Sequence, residues 1–205
     1  VIANDKVPDD ILEEMKEMGL FGLTVPEEHG GAGLNTSQYA QVVYTMAYAA
    51  PAFRSIFSIN VGMFNSALKN GGTPEQQAEW WPRIAGGEIA CFGLTEPGSG
   101  SDSAAMLIMA RTEKEALPKN AHVSAFLVPM DTPGVSTGSP DRKMGQAGAH
   151  IADVMLDDVH VPGDALLGGE TGKGFRFAMM SLDNGRISVG AASAGYARRA
   201  LDSAL

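Results

Sequence analysis

Cys91-Phe-Gly-Leu-Thr-Glu-Pro-Gly-Ser-Gly-Ser-Asp102 joins an apolar, strand-like run to a loop of glycine, proline and small hydroxyl residues. Because glycine has no Cβ atom, backbone N–H groups in such a loop can approach an anionic group closely. A loop of this kind suits a phosphate. An ordinary surface turn has a similar composition, and the glycines alone do not decide between the two interpretations.

Length and composition bound the class of protein. The chain has 205 residues, of which 44% are hydrophobic and 19% charged, as in an ordinary globular protein. A formal net charge of −9 argues against a nucleic-acid partner, which would need a basic surface. Cys91 is the single cysteine, so no intramolecular disulfide can form. No apolar run reaches the roughly 18 residues of a membrane span. The four histidines lack the spacing of metal ligands, so we expect no metal site.

The first part of the chain predicts a layer of helices. Asp10 and Glu13 have the spacing of a capping box at the start of the first helix. Ser37 is expected to cap a second helix, and residues 52–70 are expected to form a third. Thr73 precedes a proline and is expected to open a fourth helix. The core-facing residues expected on the second helix are Tyr39, Val42, Val43, Met46 and Ala50.

Beyond residue 88, short apolar runs separated by Gly, Pro and Asp predict a small β domain. The expected strands, each pairing locally, are Ile89–Leu94, Leu107–Thr112, Val123–Pro129 and Ile151–Leu156. From Phe175 the pattern is helical again. The small-residue face expected to pack closely on another helix comprises Gly190, Ala194, Ala197 and Ala204.

The predicted fold class is therefore α+β and multidomain. An N-terminal helical domain is expected at residues 1–88, and a small, β-barrel-like middle domain at 89–173. The start of a C-terminal helical bundle is expected at 174–205.

Several motifs, kept in order along the chain, resemble those of the acyl-CoA dehydrogenase family. L-T-E-P-G-S-G-S-D at 94–102 resembles the family's flavin-binding signature T-E-P-G-x-G-S-D. V-P-E-E-H-G-G-A-G at 25–33 resembles V-P-E-x-x-G-G-x-G, and L-D-N-G-R at 182–186 resembles L-D-x-x-R. Residues 143–162 resemble a further motif of the family. They depart from it at Ala147, Ala149 and Ile151, where the family usually carries an arginine and two hydroxyl residues.

The resemblance implies FAD as the cofactor and an acyl-CoA as the substrate. The residues it assigns to FAD are Phe92, Leu94, Thr95, Gly100 and Ser101. The residues it assigns to the substrate are Ser101, Asp183 and Arg186. For the last two, an ion pair on the helix surface is the alternative interpretation.

The activity implied is FAD-dependent α,β-dehydrogenation of an acyl-CoA thioester to a 2,3-enoyl-CoA, as in fatty acid metabolism. The resemblance implies that electrons pass to an electron-transferring flavoprotein. It also implies a homo-oligomer, a tetramer or a dimer, in the bacterial cytoplasm or the mitochondrial matrix. A flavin oxidase or monooxygenase on the same fold is one alternative. A homologue that binds acyl-CoA without turnover is the other.

Relative to the family, the chain lacks the extreme N-terminus, two strands and a turn after Met106, and most of the C-terminal helical domain. We therefore expect Met106 and Leu107 to flank a missing segment rather than to be covalent neighbours. In the family the catalytic base is a glutamate, either late in the C-terminal domain or directly before the arginine of L-D-x-x-R. Gly185 occupies that second position. We therefore expect no catalytic base among these 205 residues and place it beyond Leu205.

Overall fold

Helices lie toward both ends of the chain, and strands lie between them. The computed structural model describes residues 7–93, 104–112, 122–146 and 148–205. The α-helices are α1 (Asp9–Glu17), α2 (Thr36–Ala49), α3 (Pro51–Ile59), α4 (Asn65–Gly71), α5 (Pro74–Ala85) and α6 (Gly174–Ala204). Short 3₁₀ turns occur at Leu20–Gly22, Glu27–His29, Gly163–Ala165 and Leu167–Gly169. The strands are β1 (Ala90–Gly93), β2 (Ala105–Arg111), β3 (Val123–Pro129), β4 (Val135–Thr137) and β5 (Val154–Leu156).

Capping boxes fix the starts of α2 and α5. At α2 the Asn35 side chain accepts a hydrogen bond from the Gln38 backbone, and the Gln38 side chain accepts one from the Asn35 backbone. The prediction that Ser37 caps this helix is wrong, because Asn35 stands three residues before a glutamine and Ser37 lies inside the first turn. Thr73 and Gln76 form the same box at α5, so the predicted start of that helix is confirmed.

Helix α1 begins without a side-chain cap. Its N-cap residue is Pro8, so the predicted capping box of Asp10 and Glu13 is wrong. The helix starts two residues earlier than a cap at Asp10 would require, which places Asp10 in the first turn. There its negative charge interacts favourably with the positive end of the helix dipole. Glu13 pairs instead with Lys16, at 2.8 Å.

A π-turn at Asn60–Phe64 interrupts the helix expected over 52–70 and separates α3 from α4. The side chain of Asn60 is fully buried. Its Nδ2 donates to the Glu88 carbonyl oxygen (2.6 Å), and its Oδ1 accepts from the Ala90 backbone N–H (2.8 Å). These bonds satisfy backbone groups at the start of β1, which is an edge strand. The π-turn thereby ties the helical layer to the sheet.

The described strands form two small open sheets rather than a closed barrel. The main sheet has the order β1-β2-β3, with β1 and β2 parallel and β2 and β3 antiparallel. Strands β4 and β5 pair antiparallel in a second sheet. Each pair joins strands that are consecutive in the chain, as expected for local pairing. Strand β4 was not predicted, and β5 begins at Val154 rather than at Ile151.

Strand β2 runs through Met106 and Leu107 without interruption. Their partners on β3 are Val128 and Leu127, in unbroken register. The two residues are adjacent in this strand, and the prediction that a segment of the family is missing between them stays a prediction. Strand β2 pairs with β1 on one side and with β3 on the other, and the side chain of Leu107 is fully buried.

Two apolar clusters form the core, and α6 contributes to both. The first packs the sheet against α4, α5 and the start of α6; its larger members include Phe64, Trp80, Phe92, Leu107 and Phe177. The second packs α1, α2 and α3 against the middle of α6; its members include Phe21, Tyr39, Val43, Phe57 and Ala192. Helix α6 therefore links the N-terminal helices to the sheet.

The close contact between α2 and α6 occurs at Gly195. A Cβ atom there would lie 2.5 Å from the Tyr44 carbonyl oxygen and 3.1 Å from the Ala47 Cβ. The small-residue face predicted to pack on another helix is a different face of α6 and is exposed within this chain: Gly190, Ala194, Ala197 and Ala204. Side-chain size alone suits either face of α6. Which face is buried is set by the position of the larger apolar and serine residues around Ala192.

In the ranges that the structure describes, no helix combines the length and apolar character needed to cross a membrane.

Candidate cofactor and substrate site

Phe92 is a predicted cofactor residue that falls within the described part of the chain. It lies on β1, is 8% exposed, and packs in the first apolar cluster with Leu107 and Phe177. Strand β1 ends one residue later, at Gly93. The other predicted cofactor residues lie outside the described residues: Leu94, Thr95, Gly100 and Ser101.

Asp183 and Arg186 form an ion pair on the outer face of α6. Their side chains are 68% and 72% exposed, respectively, and the pair has i,i+3 spacing. An exposed pair of this kind adds little to stability, because water screens both charges. Within this chain the geometry is that of a surface ion pair, and both groups remain accessible to a ligand.

The structure brings the two predicted parts of the site onto one core. Phe177 and Ala178, in the first turns of α6, share the apolar cluster that holds Phe92. Asn184, between the two charged residues of the pair, donates from Nδ2 to the Ser66 Oγ on α4 at 2.7 Å. This bond fixes the rotation of α6. The helix that carries Asp183 and Arg186 therefore shares an apolar core with the strand that leads into residues 94–103.

A buried polar cluster of Tyr39, Arg54 and Ser188 lies on the inner face of α6. We call it the Arg54 cluster. Arg54 Nη2 donates to Ser188 Oγ at 3.1 Å, and Ser188 Oγ lies 3.4 Å from the Tyr39 hydroxyl. Tyr39 and Ser188 are 4% and 1% exposed, whereas Arg54 is half-buried. Three helices converge here, since the three side chains come from α2, α3 and α6.

Burial raises the pKa of Tyr39 above its usual value. The hydrogen bond with Ser188 and the positive charge of Arg54 act in the opposite direction without cancelling the effect of burial. The phenol is therefore neutral at pH 7, where it can both donate and accept a hydrogen bond.

The Arg54 cluster was not predicted from the sequence. Tyr39 was assigned to the core, and Arg54 fell inside an expected helix. The available signal was a single charge within A-F-R-S-I-F at 52–57, on a helix whose neighbouring positions are apolar. A lone arginine among buried side chains needs polar partners, which is a reason to look for them.

A separate cleft of about 530 Å³ lies between α5 and the segment around residues 160–169. Its floor is fixed by Gln76, whose Nε2 donates to the carbonyl oxygens of Asp164 (2.7 Å) and Leu166 (2.9 Å). None of the predicted site residues lines this cleft. Among the described residues, no group of three or more His, Cys, Asp or Glu could hold a metal ion.

Two family models match the chain. One, described as the acyl-CoA dehydrogenase N-terminal domain, matches residues 2–88, and one described as the acyl-CoA dehydrogenase C-terminal domain matches residues 172–205. The chain belongs to the acyl-CoA dehydrogenase family. Between the two matched regions lies the T-E-P-G-S-G-S-D stretch at 95–102 that resembles the family's flavin-binding signature.

Known acyl-CoA dehydrogenases resemble the chain over nearly its whole length. The human mitochondrial short-chain specific acyl-CoA dehydrogenase is 34% identical over 222 residues, covering 95% of this chain and 54% of the human protein. The structure of butyryl-CoA dehydrogenase from Megasphaera elsdenii has a TM-score of 0.88 at 27% identity, covering 97% of this chain and 60% of that one. An acyl-CoA dehydrogenase from Bacillus anthracis complexed with FAD has a TM-score of 0.82 at 31% identity, covering 93% and 37%.

The chain thus spans about half the length of its human relative. The human alignment extends over 222 residues, more than the 205 of this chain. The relative therefore carries residues inside the matched region that this chain lacks.

Proposed function

We propose that the protein catalyses the FAD-dependent α,β-dehydrogenation of an acyl-CoA thioester, giving a 2,3-enoyl-CoA. The observation that carries this proposal is the joining of two motif-bearing elements through one core. Strand β1 leads into T-E-P-G-S-G-S-D, and α6, packed on the same cluster, carries L-D-N-G-R. Family membership and the short-chain acyl-CoA activity named for the human relative support it.

FAD is the cofactor we assign, and it supplies the hydride acceptor when bound. A flavin site needs an apolar surface beside backbone donors. The end of β1 provides the first of these, since the buried Phe92, followed by the half-buried Gly93, directly precedes the Gly- and Ser-rich segment. The residues proposed to hold FAD are Phe92, Leu94, Thr95, Gly100 and Ser101. The Bacillus anthracis relative was solved in complex with FAD, which supports this assignment.

Ser101, Asp183 and Arg186 are the residues we propose to contact the substrate. Coenzyme A carries phosphates, and a guanidinium is well suited to bind them. The exposure of Arg186 on the outer face of α6 leaves it free to turn toward such a group.

We propose that the catalytic base is a glutamate outside these 205 residues. Removing the α-proton of a thioester needs a carboxylate whose pKa is raised in an apolar pocket. Asp183, the carboxylate nearest in sequence to the family's alternative position, is exposed and paired with Arg186, which does not provide that environment. Gly185 at that position cannot serve.

The electron acceptor, the oligomeric state and the cellular location that we propose are those implied by the resemblance to the family. Electrons would pass to an electron-transferring flavoprotein, and the protein would work as a homo-oligomer in the bacterial cytoplasm or the mitochondrial matrix. The domain division proposed is 1–88, 89–173 and 174–205. The exposed small-residue face of α6 supports further helical packing in the complete protein.

Anaerobic mixing of the full-length, FAD-loaded protein with butyryl-CoA tests the activity. We expect the visible flavin absorption to bleach, and then to recover with an electron-transferring flavoprotein far faster than with air. Rapid recovery in air would instead indicate an oxidase or monooxygenase. Bound FAD that no acyl-CoA of any chain length bleaches would indicate a homologue without turnover.

A further inference from the structure

Arg54 carries a positive charge that no carboxylate of the described residues neutralises. Its Nε is buried and has no hydrogen-bond partner, and its Nη2 donates to the neutral Ser188 hydroxyl. The ion pairs in the described part of the chain are formed by other residues. The chain has 24 acidic residues against 15 basic ones, so carboxylates are plentiful elsewhere.

Among the described residues, this arrangement leaves a buried hydrogen-bond donor without an acceptor and a positive charge without a counter-charge. A guanidinium has five N–H donors and no acceptor, and a buried donor without a partner costs free energy. A buried charge also needs a counter-charge to offset its loss of hydration. Neighbouring polar groups on the inner face of α6 are satisfied, since Ser181 Oγ donates to the Phe177 carbonyl and Asn184 donates to Ser66. His122 Nδ1 and the Tyr196 hydroxyl are also buried without a partner, but among these three groups only the Arg54 guanidinium carries a permanent charge.

The Arg54 cluster is connected to both parts of the proposed site. Arg54 lies on α3, which leads directly into Asn60, the first residue of the π-turn and the residue that holds the start of β1. Ser188 lies on α6, on the opposite face from Arg186. Arg54 itself is half-buried, so part of the residue remains exposed to solvent.

We propose that Arg54 binds a carboxylate at the far end of the acyl group, so that the substrate class is a dicarboxylic acyl-CoA thioester. This inference rests on the proposed function and narrows it. A carboxylate accepts two parallel hydrogen bonds from a guanidinium, and Nε with one terminal nitrogen is a geometry that permits this. The Tyr39 hydroxyl offers a further donor, and the bond from Nη2 to Ser188 orients the guanidinium.

The test compares charged and neutral thioesters of matched shape on the full-length, FAD-loaded protein. The charged probes are succinyl-, glutaryl- and adipoyl-CoA. The neutral probe matched to glutaryl-CoA is 5-methylhexanoyl-CoA, in which two methyl groups replace the carboxylate oxygens. We expect at least one of the charged thioesters to reduce the flavin with a higher kcat/KM than the neutral probe. Arg54→Met should lower that value by about 100-fold, as expected for a lost buried charge pair, and change the neutral probe by less than about threefold.

Arg142→Met removes an exposed arginine and serves as the control, with both probes unchanged. Arg54→Lys keeps the charge and should recover part of the activity on the charged probe. Should Arg54→Met fail to fold, the Lys variant and the substrate preference of the unaltered protein still decide the matter.

Two outcomes overturn the inference while leaving the proposed function intact. One is an unaltered protein that prefers the neutral probe. The other is an equal loss on both probes in Arg54→Met, which would place the anion on the coenzyme A or flavin phosphates, or make the role of Arg54 structural. If no acyl thioester reduces the flavin, the proposed function fails as well.

Discussion

The ionisation of Tyr39 is coupled to folding because its hydroxyl is buried in the Arg54 cluster. The folded protein raises the pKa of this phenol above its ordinary value of 10.0. The native state therefore holds the proton more tightly than the unfolded state does. The corresponding stability is fully present below about pH 10 and is lost as the pH rises through the higher pKa of the folded state.

We therefore predict that Tyr39→Phe flattens the fall in stability above about pH 10. Urea unfolding midpoints, measured across that range, give the slope for each protein. Tyr44→Phe changes an exposed tyrosine on the same helix and should leave the slope as it is in the unaltered protein. Equal slopes for Tyr39→Phe and the unaltered chain would contradict the assignment.

At the residue scale, sequence reasoning identified the motifs but not the contacts of single side chains. Asp183 and Arg186 were found through a motif, and the structure shows them paired with each other on the surface. Arg54 was missed, because its significance depends on Ser188, which is 134 residues away in the chain. Contacts over such separations are set by packing and leave no local signal.

Helix α2 shows how an element's boundary follows from one reciprocal pair. Asn35 and Gln38 satisfy each other's backbone N–H groups. Ser37 is the second residue of the helix and therefore does not occupy the N-cap position. We predict that Asn35→Ala lowers the free energy of unfolding by about 1 kcal/mol. Ser37→Ala should change it by less than about 0.5 kcal/mol. Chemical denaturation of both variants provides the comparison, and a larger loss for Ser37→Ala would show that the cap is misassigned.

Helix α6 provides a pair of glycines with opposite expectations. At Gly195 an added Cβ would lie 2.5 Å from the Tyr44 carbonyl oxygen, so Gly195→Ala should destabilise the protein by about 1–3 kcal/mol. At Gly190 an added Cβ meets no atom within 4 Å, and alanine is the better helix former. Gly190→Ala should therefore raise the free energy of unfolding by about 0.5–1 kcal/mol. Thermal unfolding of the two variants checks both signs, and a stabilising Gly195→Ala would refute the close contact with α2.

Elements with a strong local pattern were predicted well from the sequence. The direction of strand pairing and the elements that depend on distant contacts were not. The span of β3 and the start of α5 were predicted correctly, because alternation, proline position and capping residues are local. The parallel pairing of β1 with β2 and the small strand β4 have no such signature. The π-turn at Asn60 also escaped prediction, since it depends on hydrogen bonds to Glu88 and Ala90.

At the scale of the whole molecule, α6 exposes a face of small residues that its own chain does not cover. The family resemblance and this face together lead us to predict a homo-oligomer for the full-length protein. Multi-angle light scattering at micromolar concentration should give a mass of two or more subunits. A monomer under those conditions would contradict this prediction and would leave the activity proposal to stand on its own.

The family could be identified from the sequence because its motifs are short, ordered and local. The arrangement of the site could not, because it depends on how α6 packs on the sheet and on three helices that meet at Arg54. The missing strands after Met106 were recognised by comparison with the family. Their effect on the sheet could not be predicted, because it depends on how β1, β2 and β3 pair.

The most direct test of the central claim is an anaerobic titration of the full-length, FAD-loaded protein with a saturated acyl-CoA, with the product identified by mass spectrometry. We predict that the visible flavin absorption bleaches and that one 2,3-enoyl-CoA forms for each flavin reduced. An unchanged flavin spectrum, with the acyl-CoA bound and then recovered intact, would contradict the proposed dehydrogenation.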